Sequence, residues 1–208
     1  MEHESYMKGH MYLWSFRRCP YAMRARMALD ASGLRYEHRE ILLRDKPQAM
    51  LEDSAKGTVP IFVIHGRVID ESLDIMRYAL SQNDPCAWLE FDQAAVQFWI
   101  DQSDAFKPQL DRYKYATRYE DDTSDAFPKC LEYLSALNDR LSQSPFLLGA
   151  KESLADVALF PFVRQFHNTD QKILENSFSA LLLWLNKWVQ SERFIRIMQK
   201  FPLYTSCI

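Results

Sequence analysis

The sequence predicts two structural units in order, a mixed α/β unit of about 80 residues and an all-helical unit after it. In the first unit, short apolar runs of strand length alternate with segments of helical periodicity, in the order β-α-β-α-β-β-α. Beyond Asn83-Asp84-Pro85 the apolar residues recur at intervals of three and four, which is typical of amphipathic helices. A chain of 208 residues can hold two such units, each with its own core. We place the units at residues 1–82 and 87–208.

The elements of the α/β unit follow from local signals. An apolar run over 11–14 and a segment over 35–41 predict the first two strands. Between them, Pro20 opens a helix that Gly33 ends, because proline suits the first helical position and glycine the residue after the last. The other predicted elements are a short irregular helix over 43–52, a β-hairpin over 57–69 and a helix over 73–80.

The helical unit begins with a long helix, predicted over 88–115 and containing Pro108. A second helix follows over about 124–142. Ser153 and Asp156 have the spacing of a capping box, in which each side chain bonds the backbone N–H of the other residue. The remaining segment, 174–199, predicts two shorter helices.

Cys19 lies at the junction between the first strand and the first helix. Because Pro20 takes the first helical position, Cys19 becomes the N-cap residue. Its sulfur would then face unpaired backbone N–H groups and the positive end of the helix dipole. With Arg17 and Arg18 directly before it, this position predicts a reactive thiolate with a lowered pKa. A buried structural cysteine is the plainer alternative.

The remaining cysteines leave Cys19 to act alone. Ala22 stands three residues after it, so the motif holds no second thiol for a disulfide and no pair of thiolates for a metal. A lone thiolate that exchanges disulfides needs an external thiol to resolve its mixed disulfide. Cys86, Cys130 and Cys207 are widely spaced, which favours free thiols without a role in the chemistry. We predict no metal.

The composition of the chain indicates which partners and which cellular compartment to expect. The net charge is −3, and basic residues are scattered among acidic ones, so nucleic acid is an unfavourable partner. The acidic, polar start of the chain does not resemble a signal peptide. The longest apolar run, over 180–185, is too short to cross a membrane. We expect a cytoplasmic protein without a membrane partner.

Four motifs occur in the order and at the separations of one protein family. Cys19-Pro20-Tyr21-Ala22 resembles the glutaredoxin Cys-Pro-Tyr-Cys site without its second cysteine. Thr58-Val59-Pro60 resembles the cis-proline turn of thioredoxin-like folds, and Glu71-Ser72 resembles the pair that holds the γ-glutamyl end of glutathione. Together with the Ser153-x-x-Asp156 capping box they resemble the cysteine-containing, omega-like glutathione S-transferases. The resemblance implies a thioredoxin-like α/β domain followed by an all-α domain, the glutathione transferase fold.

The resemblance also implies a site in which Cys19 is catalytic and glutathione is the co-substrate. The residues that it implies at glutathione are Tyr21, Lys46, Val59, Pro60, Glu71 and Ser72. The Val59 backbone could pair with the main chain of glutathione like an added strand. Glu71 could accept a hydrogen bond from the α-ammonium, and Ser72 with the helix start could hold the neighbouring carboxylate. Lys46 would approach the glycyl carboxylate.

Three of these assignments have a structural alternative. Pro60 could be an ordinary trans proline that opens a strand, Glu71-Ser72 a plain helix cap and Lys46 a solvated lysine. The chain also departs from the family at residues 54–57, where Ser-Ala-Lys-Gly replaces an Asn-Pro approach to the cis-proline turn. This departure predicts a looser approach. The Arg17-Arg18 pair is a second departure, and it fits either a lower thiol pKa or a preference for anionic co-substrates.

A second-substrate pocket is expected between the domains, above Cys19. Its candidate residues on the long helix are Trp99, Ser103, Phe106 and Tyr113. An aromatic stripe at helical spacing is more often core than substrate contact, which is the competing interpretation. The resemblance further implies a homodimer.

Three functions remain open from the sequence. The first is a glutathione-dependent thiol transferase in which Cys19 forms a mixed disulfide with glutathione, acting on a small disulfide or electrophile. The second is conjugation, in which a hydroxyl from Tyr12, Ser15 or Tyr21 would stabilise the thiolate of glutathione itself. The third is a non-catalytic binding protein on the same fold, since fold does not fix function.

Overall fold

The computed structural model describes residues 11–205 and divides the chain into two compact units. The first unit comprises the described residues up to Pro85 together with those from Glu192 onward. The second unit is Cys86–Ser191. Strands β1 to β4 lie in the first unit, at Met11–Ser15, Glu37–Glu40, Ile61–Ile64 and Arg67–Ile69. The helices α1 to α9 are, in chain order, Pro20–Ser32, Gln48–Asp53, Ser72–Gln82, Gln93–Lys114, Ala126–Gln143, Leu154–His167, Gln171–Ser177, Ser179–Val189 and Glu192–Ile197.

The four strands form one mixed sheet in the order β2-β1-β3-β4. Strand β1 pairs with β2 in parallel and with β3 antiparallel, while β3 and β4 form the predicted hairpin. A parallel pair needs a crossover connection, and α1 provides it between β1 and β2. This arrangement confirms the predicted order of elements. It also places Cys19 just beyond the C-terminal end of β1, an inner strand of the sheet.

Helix α1 begins and ends as its sequence predicts. Pro20 is its first residue, and Gly33 follows its last in the left-handed conformation, with φ of 71°. Glycine adopts this conformation without the steric cost of a Cβ. Helix α2 is shorter than predicted, since it begins only after Pro47. The preceding residues form a turn instead, in which the Asp45 N–H donates to the Leu42 carbonyl at 3.0 Å.

The C-terminal segment corrects the predicted domain boundary. The sequence assigns residues 192–208 to the helical domain, but α9 packs on α1, where the Arg196 guanidinium donates to both Asp30 oxygens at 2.8 and 3.1 Å. Beyond α9, Leu203 bridges Glu40 at the outer edge of β2, and the Tyr204 N–H donates to the Glu40 carbonyl at 2.8 Å. Helical periodicity shows that a face is apolar without showing which unit it packs against.

In the second unit, α4 packs against α5 and α6. Its start was predicted at Trp88, but Asp92 is the N-cap and accepts a hydrogen bond from the Ala94 N–H at 2.8 Å. The predicted capping box at the start of α6 is confirmed, with reciprocal bonds between Ser153 and Asp156. Downstream the chain forms three short helices, α7 to α9, where two were predicted. Within residues 11–205 no helix has the length and apolar character needed to cross a membrane.

Candidate active site

Cys19 is the N-cap residue of α1, as predicted. Its backbone is extended, with φ of −71° and ψ of 123°, and Pro20 takes the first helical position. The Cys19 N–H donates to the Phe16 carbonyl at 3.0 Å, while its own carbonyl accepts from the Met23 N–H at 2.9 Å. The residue is half-buried. Both ends of its peptide unit are therefore fixed at the positive end of the helix, while the thiol makes no capping hydrogen bond to the N–H groups that it was predicted to face.

The loop that precedes β3 contacts Cys19. The Val59–Pro60 peptide bond is cis, as the resemblance implied. The Cys19 thiol donates to the Val59 carbonyl, with an Sγ to O distance of 3.5 Å. Gly57 has φ of 58°, and the Lys46 Nζ lies 3.5 Å from where a Cβ on Gly57 would be. The fold thus brings the Val59 backbone to Cys19, and it brings Lys46 to Gly57, two residues before Val59.

The start of α3 carries the predicted acidic–serine pair. Glu71 is the N-cap, yet its side chain makes no capping hydrogen bond. Its Oε1 accepts from the Lys56 Nζ at 2.8 Å, and the side chain is 66% exposed. Ser72 is buried, and its Oγ accepts from the Arg24 Nε at 2.9 Å. A plain helix cap therefore does not describe the Glu71 side chain, which faces solvent as an acceptor of cations.

The segment before the cis-proline turn is tied to Asp70. The Ser54 Oγ donates to the Asp70 Oδ2 at 2.8 Å, and the Lys56 Nζ donates to the Oδ1 at 3.0 Å. The bond from Ser54, with that from Lys56 second, holds the pKa of Asp70 below its ordinary value. The Gly57 N–H also donates to the Ser54 carbonyl at 3.1 Å. This chain's own residues therefore hold the turn, while the looser approach relative to the family stays a prediction.

Arg26 supports the segment over 15–17 that leads into Cys19, a role that the sequence did not predict. Its side chain is fully buried, and its Nη atoms donate to the Ser15 Oγ at 2.6 Å and to the Arg17 carbonyl at 2.8 Å. Burial lowers the pKa of Arg26, while the charges of Glu40 and Cys19 raise it. The signal was present, because a residue seven positions after Cys19 lies two turns further along the same helix face.

Glu40 holds the same segment from its other side. Its Oε1 accepts from the Arg17 N–H at 2.6 Å, and its Oε2 lies 2.9 Å from the His38 Nε2. The Arg17 peptide is thus bonded at its N–H by Glu40 and at its carbonyl by Arg26. Arg18 is exposed, with its guanidinium 5.4 Å from the centre of the Phe16 ring. The loop before Cys19 is therefore held by the buried side chains of Glu40 and Arg26, and not by the side chains of Arg17 and Arg18.

The hydroxyls proposed as alternatives to Cys19 have structural partners. The Tyr12 hydroxyl is buried and donates to Asp53 at 3.0 Å, and burial together with that carboxylate raises the pKa of Tyr12 to about 12. The Ser15 Oγ accepts the hydrogen bond from Arg26. Tyr21 is half-buried, with the Arg24 guanidinium 5.1 Å from the centre of its ring. Two of the three candidate hydroxyls therefore maintain the core around the cysteine.

The residues predicted for a second-substrate pocket all lie on α4, in different environments. Ser103 and Phe106 are buried, and Phe106 stacks on Tyr133 with ring centres 4.4 Å apart. Trp99 is half-buried, and the Tyr113 hydroxyl is 3.3 Å from Asp170. The packing of Phe106 matches the interpretation of this stripe as core. The role of the four residues at a second substrate stays a prediction.

Of the other cysteines, Cys130 differs from Cys19 in its burial. Cys130 is buried in α5, and burial raises the pKa of its thiol to about 12. Cys86 is half-buried, and Cys207 lies outside the described residues. Over residues 11–205, no group of three or more His, Cys, Asp or Glu side chains is placed to hold a metal ion.

A mixed four-stranded sheet with an N-cap cysteine beside a cis-proline turn, followed by a helical unit, defines the class as glutathione transferase-like. Comparison with protein families agrees with this class. The model of the glutathione S-transferase N-terminal domain matches residues 13–86, and that of the C-terminal domain matches residues 97–187. Together they cover most of the chain, which belongs to the glutathione S-transferase family.

The chain is similar to individual glutathione transferases from several organisms. It is 27% identical over 192 residues to a probable glutathione S-transferase, parA, of Nicotiana tabacum, covering 88% of this chain and 87% of the relative. It is 24% identical to glutathione S-transferase omega-1 of Mus musculus, covering 86% and 76%. The crystal structure of glutathione transferase Omega 3C from Trametes versicolor has a TM-score of 0.74 at 23% identity, covering 98% and 96%. The homodimer and the cytoplasmic location stay predictions.

Proposed function

We propose that this glutathione S-transferase family member is a thiol transferase that works by disulfide exchange on Cys19. The Cys19 thiolate attacks the sulfur of a glutathione mixed disulfide. A bond forms between Cys19 and glutathione, and the other thiol leaves with the electron pair. A second glutathione thiolate then attacks the glutathione sulfur of this intermediate, which releases oxidised glutathione and restores Cys19. The observation that carries the proposal is the position of Cys19 at the N-cap, with its sulfur 3.5 Å from the Val59 carbonyl.

Four further groups would orient glutathione beside Cys19. The Val59 backbone borders the thiol and can pair with the cysteinyl part of glutathione as an extended strand does. Lys46, beside Gly57, supplies a cation for the glycyl carboxylate. Glu71 is the carboxylate for the α-ammonium, and the start of α3 at Ser72 offers backbone N–H groups to the γ-glutamyl carboxylate. In this orientation the sulfur of glutathione is delivered to Cys19.

Exchange is favoured over conjugation because Cys19 is the available nucleophile at this position. A conjugating enzyme needs a hydroxyl directed at the glutathione sulfur, whereas the Tyr12 and Ser15 hydroxyls are bonded to Asp53 and Arg26. Tyr21 is the third candidate hydroxyl for conjugation. The names of the relatives fit a glutathione transferase of either chemistry. The mass of the protein after exposure to oxidised glutathione separates the two.

The experiment compares wild type, Cys19→Ser and the matched control Cys86→Ser by intact-protein mass spectrometry after incubation with oxidised glutathione from pH 4 to 9. We expect one glutathione adduct on wild type and on Cys86→Ser, and none on Cys19→Ser. The adduct should form well below the ordinary thiol pKa of about 8.5. Adduct formation on Cys19→Ser, or on wild type only at alkaline pH, would exclude Cys19 as an activated nucleophile. Conjugation of an aryl halide that Cys19→Ala retains and Tyr21→Phe loses would then assign the activity to Tyr21.

A further inference from the structure

The carboxylates at the γ-glutamyl end of the site already hold a cation that belongs to the chain. The Lys56 Nζ lies 2.8 Å from the Glu71 Oε1 and 3.0 Å from the Asp70 Oδ1. These two hydrogen bonds raise the pKa of Lys56, so its ammonium stays charged at neutral pH. The three side chains are accessible to solvent, with 51% of Lys56, 26% of Asp70 and 66% of Glu71 exposed. A primary ammonium therefore occupies an acceptor pair that a ligand can reach.

We propose that Lys56 is a specificity residue that competes with the α-ammonium of glutathione for the Asp70 and Glu71 carboxylates. This inference rests on the proposed function, in which Glu71 accepts a hydrogen bond from the ligand. Both cations are ammonium groups with three N–H donors, and they seek the same carboxylate oxygens. Two like charges within contact distance repel, so the ligand ammonium takes the position only when Lys56 leaves it. Binding at this end is an exchange of one cation for another.

The local backbone keeps Lys56 within reach of this position. Ser54 donates to the second Asp70 oxygen, and its carbonyl accepts from the Gly57 N–H, which closes a short turn around Lys56. Gly57 is in the left-handed conformation, which redirects the chain toward Val59. The turn thus fixes the base of the Lys56 side chain two residues before the cis-proline loop. The ammonium itself stays mobile enough to be displaced, because exposed ion pairs are weak.

Competition of this kind lowers the apparent affinity for every ligand whose ammonium must displace Lys56. The apparent dissociation constant rises by the reciprocal of the fraction of protein in which the carboxylates are open. An exposed pair of this type corresponds to a factor of about two to five in that constant. A ligand with the same peptide but without the α-amino group has no ammonium to exchange, so Lys56 can stay in place when it binds.

The test measures calorimetric dissociation constants of two ligands, reduced glutathione and its analogue in which a glutaryl group replaces the γ-glutamyl group. The proteins are wild type, Lys56→Met, Lys56→Arg and the control Lys151→Met, which removes an exposed lysine of the helical unit. We expect Lys56→Met to bind glutathione about two to five times more tightly than wild type, and to bind the analogue with unchanged affinity. Lys56→Arg and Lys151→Met should both stay close to wild type.

The outcomes separate this inference from the function on which it rests. Weaker or unchanged glutathione binding by Lys56→Met overturns the competition, because Lys56 would then contact the ligand or be irrelevant to it. An equal gain for both ligands also overturns it, since the α-ammonium would not be involved. If neither wild type nor Lys56→Met binds reduced glutathione at all, the proposed function fails and this inference fails with it.

Discussion

The two ends of the proposed glutathione site are built from polar groups in opposite environments. Around Cys19 these groups are buried, with Ser15 0% and Arg26 1% exposed, and they bond to one another and to the backbone. At the start of α3 the carboxylate of Glu71 and the ammonium of Lys56 are open to solvent. The proposed nucleophile is thus held by interior contacts, and the proposed recognition groups are held by contacts that water or a ligand can replace.

This difference follows from what each end must do. A nucleophile gains from a fixed position, and buried hydrogen bonds supply it because breaking one leaves a desolvated polar group. A recognition group must release its present partner when the ligand arrives, and exposed ion pairs are weak enough to do so. Substitutions at the Cys19 end should therefore change reactivity and stability together. Substitutions at the α3 end should change affinity alone.

The largest effect is expected from Arg26→Met. The variant leaves the Ser15 hydroxyl and the Arg17 carbonyl without their buried donor and removes the positive charge near Cys19. We expect a loss of about 3 kcal/mol in the free energy of unfolding, measured by urea denaturation. Alkylation of Cys19 by iodoacetamide should also require a higher pH, because the thiolate loses a favourable charge interaction.

Arg26→Lys keeps the charge but not the forked donor, so it separates the two effects. A single ammonium cannot reproduce both guanidinium contacts, and stability should fall between those of wild type and Arg26→Met. The pH dependence of alkylation should return toward that of wild type. If both variants unfold at the same urea concentration as wild type, the buried hydrogen bonds of Arg26 do not stabilise the Cys19 segment.

An intermediate effect is expected from Glu71→Gln at the exposed end. The amide keeps the shape of the side chain but loses the charge that would hold the ligand ammonium. Hydrogen bonds to charged groups contribute about 1.5–3 kcal/mol, so the dissociation constant for reduced glutathione should rise roughly tenfold or more. The midpoint of urea unfolding should stay near that of wild type, since Glu71 is 66% exposed. A large fall in stability with unchanged affinity would reverse the contrast between the two ends.

The features that the sequence predicted share one property, which is that their signals are local. Pro20 after Cys19, Gly33 after the helix and the Ser153–Asp156 box each depend on residues within one turn of one another. The unpaired backbone N–H and C=O groups at helix ends need hydrogen-bond partners close in the sequence, so these patterns predict where a helix begins and ends. The order of strands and helices was predictable for the same reason.

The features that the sequence missed depend on tertiary contacts. Glu40 supports the Cys19 segment from β2, and no spacing rule pairs residue 40 with the backbone of residue 17. No local signal pairs Lys56 with Asp70 and Glu71, which lie 14 and 15 residues further along the chain. The packing of α9 on α1 likewise joins segments more than 150 residues apart, with Arg196 on Asp30. Such partners become visible only when the chain is folded.

The smallest effect concerns Ser54, which stands between the two environments because it is buried and yet bonds the half-exposed Asp70. A carboxyl whose native pKa is lowered stabilises the fold above its unfolded pKa, and that stabilisation is lost as the pH falls through the native value. In Ser54→Ala the pKa of Asp70 should rise toward its ordinary value, as measured by NMR titration of the side-chain carboxyl. The free energy of unfolding should fall by about 1 kcal/mol at pH 7, and by less as the pH falls through the native pKa of Asp70. A Ser54→Ala protein with an unshifted Asp70 titration would show that Lys56 alone holds the carboxylate, which would move Asp70 fully to the exchangeable end of the site.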